Sequence, residues 1–493
     1  MTELSPASRA VLDRLGQLRA ADVPATGGRV LAYVYDSGLP ELDELAAQAM
    51  RLVQPVNGLD PTAFPSVATM ESEVLSFARD TFHGGRDVQG TVTSGGTESC
   101  LLAVKTARDA WRAERERAGQ PVEHTPRLVL PVTAHAAFQK AAHLFGLRLD
   151  SVPVGPDGQV QARAMIDRLG ADVALVVVSA PSYPTAQLDP VRSVAAAAKE
   201  LGIACHVDAC IGGFVLAWWP GLPDWDFRVP GVTSLSADLH KYGYAPKGAS
   251  VLLQRGRSRH RRQFFATVRW PGYPVVNPTL LGSKSAAALA AAWAMTQRLG
   301  ADGFRELTAQ AQRATEAIRH EVGTIAGLRV LGDPTGPLFA LVTDTDVPVA
   351  DRVDPHLLAD RMRQLGFQVQ PQPAFEQGSE PRVPHSVHVT VTPVTESILP
   401  EFLAVLRQAA EDVRGRPRPE PRVALAGLRA LGLLRPGARL SPDTAWRLLR
   451  LMGAGGASGP QEMAPLLAIV ERLPPEVAET ILTELIARLA QPR

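Results

Sequence analysis

The chemistry of this sequence centres on Lys241. It sits in SLSADLHKYGYAPKG (residues 234–248), where an apolar run ends in a turn that also carries Ser236 and His240. A lysine that forms an imine must be neutral, which a desolvated site near other cations favours. Taken alone, SADLHK fits an ordinary surface turn equally well. A second segment, ACHVDACIGGF (204–214), ends an apolar strand on Asp208 and continues into small residues and a Gly pair. A carboxylate there can pair with a protonated ring nitrogen. His206 reads as a structural strand residue and Cys210 as a small buried filler. In TVTSGGTESC (91–100) a strand gives way to Ser94, Gly95, Gly96 and Thr97, and then to a long helical pattern. Glycine amides at a helix N-terminus favour an anion, and Thr97 can add its hydroxyl. A plain Gly-Gly turn has the same look. In PVTAHAAFQKAAHLFG (131–146), His135 falls just past a strand and at the start of a helix. An imidazole there either stacks on a flat heteroaromatic ring or caps the helix. His143, further along, reads as structural.

The order of the four segments says more than any one of them. Anion loop, stacking imidazole, ring-nitrogen carboxylate and imine lysine follow in turn, each at or just beyond a strand end, where parallel sheets bind ligands. Together they read as a site for pyridoxal 5'-phosphate (PLP), whose ring acts as an electron sink once the cofactor is held on Lys241. No metal site is read.

The elements that must position these residues follow the same alternation. GTVTS, RLVLP, LRLDSV, VALVVVS, IACHVD, SLSAD and ASVLLQ read as strands. Helical patterns fall at Thr97–Arg117, Ala136–Phe145, Ala162–Leu169 and Pro190–Leu201. Strands alternating with helices predict a mainly parallel sheet with covered faces. The expected organisation is an N-terminal segment packing on the core (1–89), with helices at Glu41–Val53 and Met70–Thr81, and a large domain (90–284). A smaller α+β domain (285–413) follows, opened by the helix SAAALAAAWAMTQRLG and containing LRVLG, PLFALVTD, SVHVTVTPV and the helix LPEFLAVLRQAAEDV. The segment 414–422 reads as a solvated Pro/Arg linker, and 423–493 as a helical extension with helices at Pro442–Met452 and Pro475–Leu489. The extension reads as a small helical cap, or as a partner-binding helix pair.

Composition narrows the class of function. Of 493 residues 45% are hydrophobic and 20% charged, and 51 basic against 50 acidic residues leave a formal net charge of +1. That balance gives no electrostatic case for nucleic acid or a membrane surface. No run approaches the roughly 18 apolar residues of a membrane span. The amino terminus lacks a signal-peptide core, and Cys100, Cys205 and Cys210 have no paired-ligand spacing. The expectation is a reduced, cytoplasmic location without a membrane anchor.

With these residues in view, TVTSGGTES, TAHAAF, HVDACIGGF, DFRVPGVTSLSADLHKYGYAPKG and FPSVATMESEV resemble the sphingosine-1-phosphate lyase family over roughly residues 28–413. That family belongs to the fold-type I (aspartate aminotransferase-like) PLP enzymes that include the group II decarboxylases. The resemblance implies an α/β fold with a mainly parallel seven-stranded sheet. It implies that Lys241 carries the Schiff base, His135 stacks on the ring and Asp208 holds its nitrogen. Gly95, Gly96, Thr97, Ser236 and His240 are expected at the cofactor, with Ser283 supplied by the partner subunit of a homodimer that shares its active sites. Tyr35 and Lys247 are expected near the substrate.

The chain also departs from the family's pattern. NGLDP places Asp60 where a histidine is expected, WPGYPVV leaves Val275 in place of a tyrosine that is lost or displaced to Tyr273, and GSKSA puts Lys284-Ser285 in place of Arg-Pro. All three fall in the expected substrate region. A carboxylate in place of an imidazole disfavours a substrate phosphate, and Lys is not the bidentate clamp that Arg is. The function expected is a PLP-dependent carbon–carbon lyase acting on an amine or amino acid, an aldehyde-lyase by its nearest motifs. An amino-acid decarboxylase is the alternative, and a non-catalytic PLP-fold scaffold the second alternative.

Overall fold

The computed structural model describes residues 4–121, 124–419, 422–430, 432–435, 437–451 and 462–492. Residues 420 and 421 of the expected linker and Met452 of an expected helix lie outside these.

The large sheet has seven strands: β1 (Val88–Thr93), β2 (Arg127–Pro131), β3 (Arg148–Val152), β4 (Val173–Ser179), β5 (Ala204–Asp208), β6 (Ser234–Ala237) and β7 (Ser250–Arg255). They lie in the order β1-β7-β6-β5-β4-β2-β3. The neighbours among β2–β6 pair in parallel, whereas β7 runs antiparallel to both β1 and β6. A strand buried on both faces needs no polar alternation, which is why VALVVVS is buried along its whole length. Helices Gly96–Arg117, Ala137–Phe145 and Val191–Glu200 return the chain between strands and cover the faces.

Ahead of the sheet, helices Pro6–Arg19, Pro40–Leu52 and Pro65–Thr81 each carry proline in the first turn, where a missing N–H costs no intrahelical bond. The third therefore begins at Pro65 and not at Met70, because proline opens this helix where periodicity alone reads it as a break. Leu42, Ala46, Val74, Ala78 and Phe82 join the core of the large sheet, while Leu31 joins the core of the smaller unit.

After β7, strands β8 (Phe265–Thr267) and β9 (Val275–Asn277) form an exposed hairpin. The helix from Ala287, expected to end near Gly300, does break there, where Gly300 adopts non-helical angles (φ 54°), and a second helical arm continues from the kink to Val322. Glycine reaches that left-handed region without a Cβ penalty. Before the kink the helix packs Ala291, Ala292 and Met295 into the large core, and beyond it Ala314, Ile318 and Val322 into the smaller one.

The smaller sheet contains β10 (Leu328–Val330), β11 (Leu338–Thr343), β12 (Gln370–Gln372) and β15 (Ser386–Thr390), in the order β10-β11-β15-β12 and all antiparallel. Between β12 and β15 lies the hairpin of β13 (Phe375–Gln377) and β14 (Glu380–Val383). The sequence QPQPAFEQGSEPRV gives no alternating pattern, so β12–β14 are not foreseen from it.

The helix Leu399–Val413 closes this core. Beyond it, helices Arg422–Ala430, Pro442–Leu451, Ala464–Val470 and Pro475–Leu489 form a small unit around Ala445, Leu449, Val477 and Ile481. The segment joining it is not simply solvated: Arg418 pairs with Glu471 at 2.7 Å, and both side chains are largely buried. Among the described residues no helix is long and apolar enough to cross a membrane.

Candidate active site

The parallel strands present their carboxyl ends along one edge of the sheet. Because β7 runs backwards, the Lys247-Gly248 turn that feeds it reaches the same edge. A cavity of about 870 Å³ opens there. Its floor is built from the sheet: Gly95, Gly96 and Thr97 after β1, His135 after β2, Asp208 at the end of β5, then His240 and Lys241 after β6. Tyr35, Tyr33, Tyr183 and Lys247 also line it, and an outer wall comes from the smaller unit through Gln370–Pro373, Phe375, Val383, Pro384 and Ser386.

The dominant charge beside Lys241 is an anion, and not the cations that the sequence reading expects of a neutral amine. Its Nζ is 3.0 Å from Oδ2 of Asp238, a carboxylate buried to 2% exposure. Burial works against the ammonium, but the charge of Asp238 outweighs it and holds the lysine above its ordinary range. Burial likewise opposes ionisation of Asp238, yet Lys241 and His240 hold its carboxyl well below the usual range. His240 Nε2 stands 3.4 Å from the same carboxylate oxygen. Its Nδ1 accepts the backbone N–H groups of Gly248 and Ala249 at 3.3 Å, which orients the ring.

Asp208 is nearly buried and accepts the N–H of Cys210 at 3.1 Å. Cys100, Cys210 and Asp208 each bring one ligand atom to within 4.8 Å of the others. Both thiols are buried. A hydrogen bond from Cys100 together with burial pushes Cys210 up, and Cys100, although lowered by its bond to Cys210, is pushed up overall by burial and nearby carboxylates. Protonated thiols suit the filler role expected of Cys210.

The His135 Nδ1 accepts the Ala137 N–H at 3.2 Å at the start of the following helix, and the residue lines the cavity. Across from it Tyr35 lies edge-on to Tyr242, with centroids 5.3 Å apart. Burial pushes the Tyr35 phenol up to about 12. Lys247 Nζ sits 4.5 Å from the centre of the Tyr35 ring and donates to the His240 carbonyl at 2.9 Å. Burial first, then the charge of Lys241, lowers Lys247 to about 8.

Ser236 and Asp60 do not line this cavity, and neither does Ser283, which is expected from a partner subunit. Ser236 faces away, fully buried, 3.1 Å from His206 Nε2 and 3.2 Å from Cys210 Sγ. His206 is thereby a structural residue, held to about 4 by burial. Asp60 is exposed and closes its own turn, its Oδ1 accepting from Thr62 N at 2.9 Å and Thr62 Oγ1 at 2.6 Å. Ser283 meets Asn57 Nδ2 at 3.5 Å, and Gly58 N donates to the Lys284 carbonyl at 2.7 Å. The segments carrying Asp60 and Ser283 therefore share one surface away from the cavity of their own chain.

Asp238, Tyr33 and Tyr183 were not singled out from the sequence. The spacing of Asp238, one helical turn before Lys241, is a signal that was present. Tyr183, stacked on the buried His388 at 4.1 Å, has none.

The residues present suit PLP. The first N–H groups of the helix Gly96–Arg117 lack intrahelical acceptors and favour a phosphate. A Cβ on Gly96 would meet Asp238 Oδ2 at 2.7 Å and Cys210 Sγ at 3.0 Å, so only glycine leaves this cradle open. A seven-stranded sheet with a lysine, an aspartate and an anion loop at its carboxyl edge defines a fold-type I PLP enzyme. The profile described as "Pyridoxal-dependent decarboxylase conserved domain" matches residues 35–333. A second, described as "Pyridoxal-dependent enzyme, C-terminal putative HTH domain", matches residues 424–488, a unit that the sequence reading takes only as a helical extension.

Sphingosine-1-phosphate lyase 1 of Rattus norvegicus is 35% identical over 83% of this chain and 69% of its own length. The lyase of Oryza sativa is 32% identical over 84% and 74%. Among solved structures, a Burkholderia pseudomallei sphingosine-1-phosphate lyase is 32% identical with TM-score 0.75, covering 89% of this chain and 97% of that one. A Lactobacillus brevis glutamate decarboxylase shares the fold at 22% identity, TM-score 0.72, over 85% and 95%. The chain belongs to the pyridoxal-dependent decarboxylase family, in its sphingosine-1-phosphate lyase-like branch. It is a PLP-dependent carbon–carbon lyase.

Proposed function

We propose that the chain cleaves the Cα–Cβ bond of a β-hydroxy amine, releasing an aldehyde and an amine, and that its substrate is not sphingosine-1-phosphate. PLP supplies an electron sink for the bond that breaks. Gly95, Gly96, Thr97 and His240 would hold its phosphate, His135 its ring face, Asp208 its ring nitrogen and Lys241 its aldehyde carbon. Asp238, 3.0 Å from the amine, would fix the position of Lys241 as its ion-pair partner. Lys247, lowered to about 8 and lining the cavity, is the group suited to take the β-hydroxyl proton, with the Tyr35 hydroxyl orienting the substrate.

The pairing of Lys241 with Asp238 at 3.0 Å in a cavity that also holds Asp208 and His135 carries the catalytic reading. The substrate reading rests on Asp60 and Lys284, which replace an imidazole and a guanidinium and so disfavour a doubly charged phosphate.

A homodimer is part of the proposal. Asp60, Ser283 and the exposed β8–β9 hairpin, with Phe265, Trp270 and Tyr273, lie outside the cavity of their own chain and would complete that of a partner. A cytoplasmic location fits the three free, buried cysteines. Decarboxylation of an amino acid is the second reading, favoured by the family profile itself. The deciding experiment incubates the holoenzyme with a panel of amines and amino acids and assays aldehyde against carbon dioxide. Aldehyde from a non-phosphorylated β-hydroxy amine supports the first reading, and carbon dioxide without aldehyde supports the second.

A further inference from the structure

The outer wall of the cavity is its least self-sufficient part. Pro371, Gln372, Pro373, Phe375, Val383 and Pro384 belong to β12, β13, β14 and their connections. These strands are three or four residues long and rich in Pro, and an isolated two-stranded hairpin is marginal in water. Their position therefore depends on what grips them. The far side is held to the large domain, where Gln377 exchanges hydrogen bonds with both backbone groups of Val154, at 2.8 and 3.1 Å.

The near side is held from the C-terminal extension by one carboxylate. Glu471, its side chain 6% exposed, accepts the Ala374 N–H at 3.1 Å and Arg382 Nη2 at 3.3 Å. Ala374 lies between the wall residues Pro373 and Phe375, and Arg382 precedes Val383. Both limbs of the hairpin are thus tied to a single side chain, each one residue from the cavity.

Arg418 completes the attachment. It donates to both Glu471 oxygens at 2.7 and 2.8 Å and to His356 Nδ1 at 3.1 Å, while His356 Nε2–H donates to the Gln372 carbonyl at 2.8 Å. Burial holds His356 at about 4, so the neutral ring relays this contact. Asp360 anchors the helix that carries Glu471, accepting the N–H groups of Met463 and Ala464 at 2.8 and 2.9 Å.

We propose that the C-terminal extension braces the outer wall of the cavity, with Glu471 as the positioning residue that fixes the β13–β14 hairpin against an incoming amine. The proposal rests on this cavity being the lyase site. The brace acts on the wall and not on the sheet edge, so it sets how well a large amine is held without altering the chemistry at Lys241.

The test uses the full-length holoenzyme and its Glu471→Ala and Glu471→Gln variants. Backbone hydrogen exchange is followed at Ala374 and trypsin cleavage at Arg382. In Glu471→Ala, Ala374 exchange accelerates about tenfold or more and Arg382 becomes cleavable, whereas Glu471→Gln, which keeps an acceptor, stays close to the parent. Two probe amines are then titrated by the shift of the cofactor's visible band: sphinganine, long enough to reach the wall, and ethanolamine, which is not. Glu471→Ala weakens sphinganine about tenfold and leaves ethanolamine and cofactor retention unchanged. Unchanged exchange at Ala374 overturns the brace, and so does an equal loss for both amines accompanied by cofactor release. The exchange measurement needs no substrate, so failure of the lyase reading would appear only in the amine titrations and the product assay.

Discussion

The two sides of the cavity are built on different physical terms. The floor sits on the carboxyl edge of a seven-stranded sheet whose central strands β4, β5 and β6 are buried throughout, and chemical groups there are fixed by neighbours on the same scaffold: Lys241 by Asp238, His240 by Gly248 and Ala249, His135 by Ala137. The wall is a short hairpin tied to Val154 through its own Gln377 and held from a distance by Glu471. The floor carries the residues that match the lyase motifs, while the departures from those motifs fall at Asp60, Val275 and Lys284, outside the floor. A rigid scaffold preserves a reaction, and the elements around it are where a substrate can be exchanged for another without loss of the chemistry.

The sharpest way to break this contrast is at the floor. Lys241→Ala removes the borohydride-reducible visible chromophore, and turnover falls to background. A chromophore that survives would move the attachment to another lysine. Asp208→Ala keeps the fold and the cofactor but loses the partner of the ring nitrogen, so turnover drops on the order of 10²–10³-fold, as when one preorganised electrostatic group is removed. Near-normal turnover with the cofactor bound would give that role to another residue.

A smaller effect reports on Lys247. Its ammonium is the minor form above its pKa of about 8, so if it takes the β-hydroxyl proton the rate climbs as pH rises through 8 and levels off above it. Lys247→Arg, which stays charged, flattens that limb. If Lys247 only binds an anionic head group, the dependence inverts and affinity falls over the same range. The smallest effect is expected at Asp60→His: cleavage of sphingosine-1-phosphate starts slow and rises several-fold, about 1 kcal/mol. Efficient cleavage by the parent protein, unmoved by the substitution, would make the departures silent.

The division between floor and wall also governs what the sequence reveals. Buried parallel strands announce themselves as apolar runs, so VALVVVS reads directly as β4, and RLVLP as β2. The residues proposed to hold the cofactor are legible because each follows such a run. Asp238 shares the motif with Lys241, and its spacing of three residues is a signal in the sequence, but only the fold shows that its carboxylate turns toward the amine. Ser236 errs the other way: its place in the motif suggests a ligand contact, while strand alternation turns it inward to His206. The wall leaves almost no trace, since QPQPAFEQGSEPRV has neither period and takes its shape from tertiary contacts. Arg418 is read as a solvated linker charge because Glu471, which buries it, lies far along the chain.

The kinked helix Ala287–Val322 places both sides of the cavity on one lever. Beyond Gly300 its arm runs roughly 33 Å at 1.5 Å per residue. A change of about 10° at that glycine would carry the far end by about 6 Å, close to one helical turn. The bend at Gly300 therefore sets the angle between the arm packed on the floor's core and the arm packed on the wall's core, while the Gln377–Val154 bonds tie the wall to the large domain independently of it.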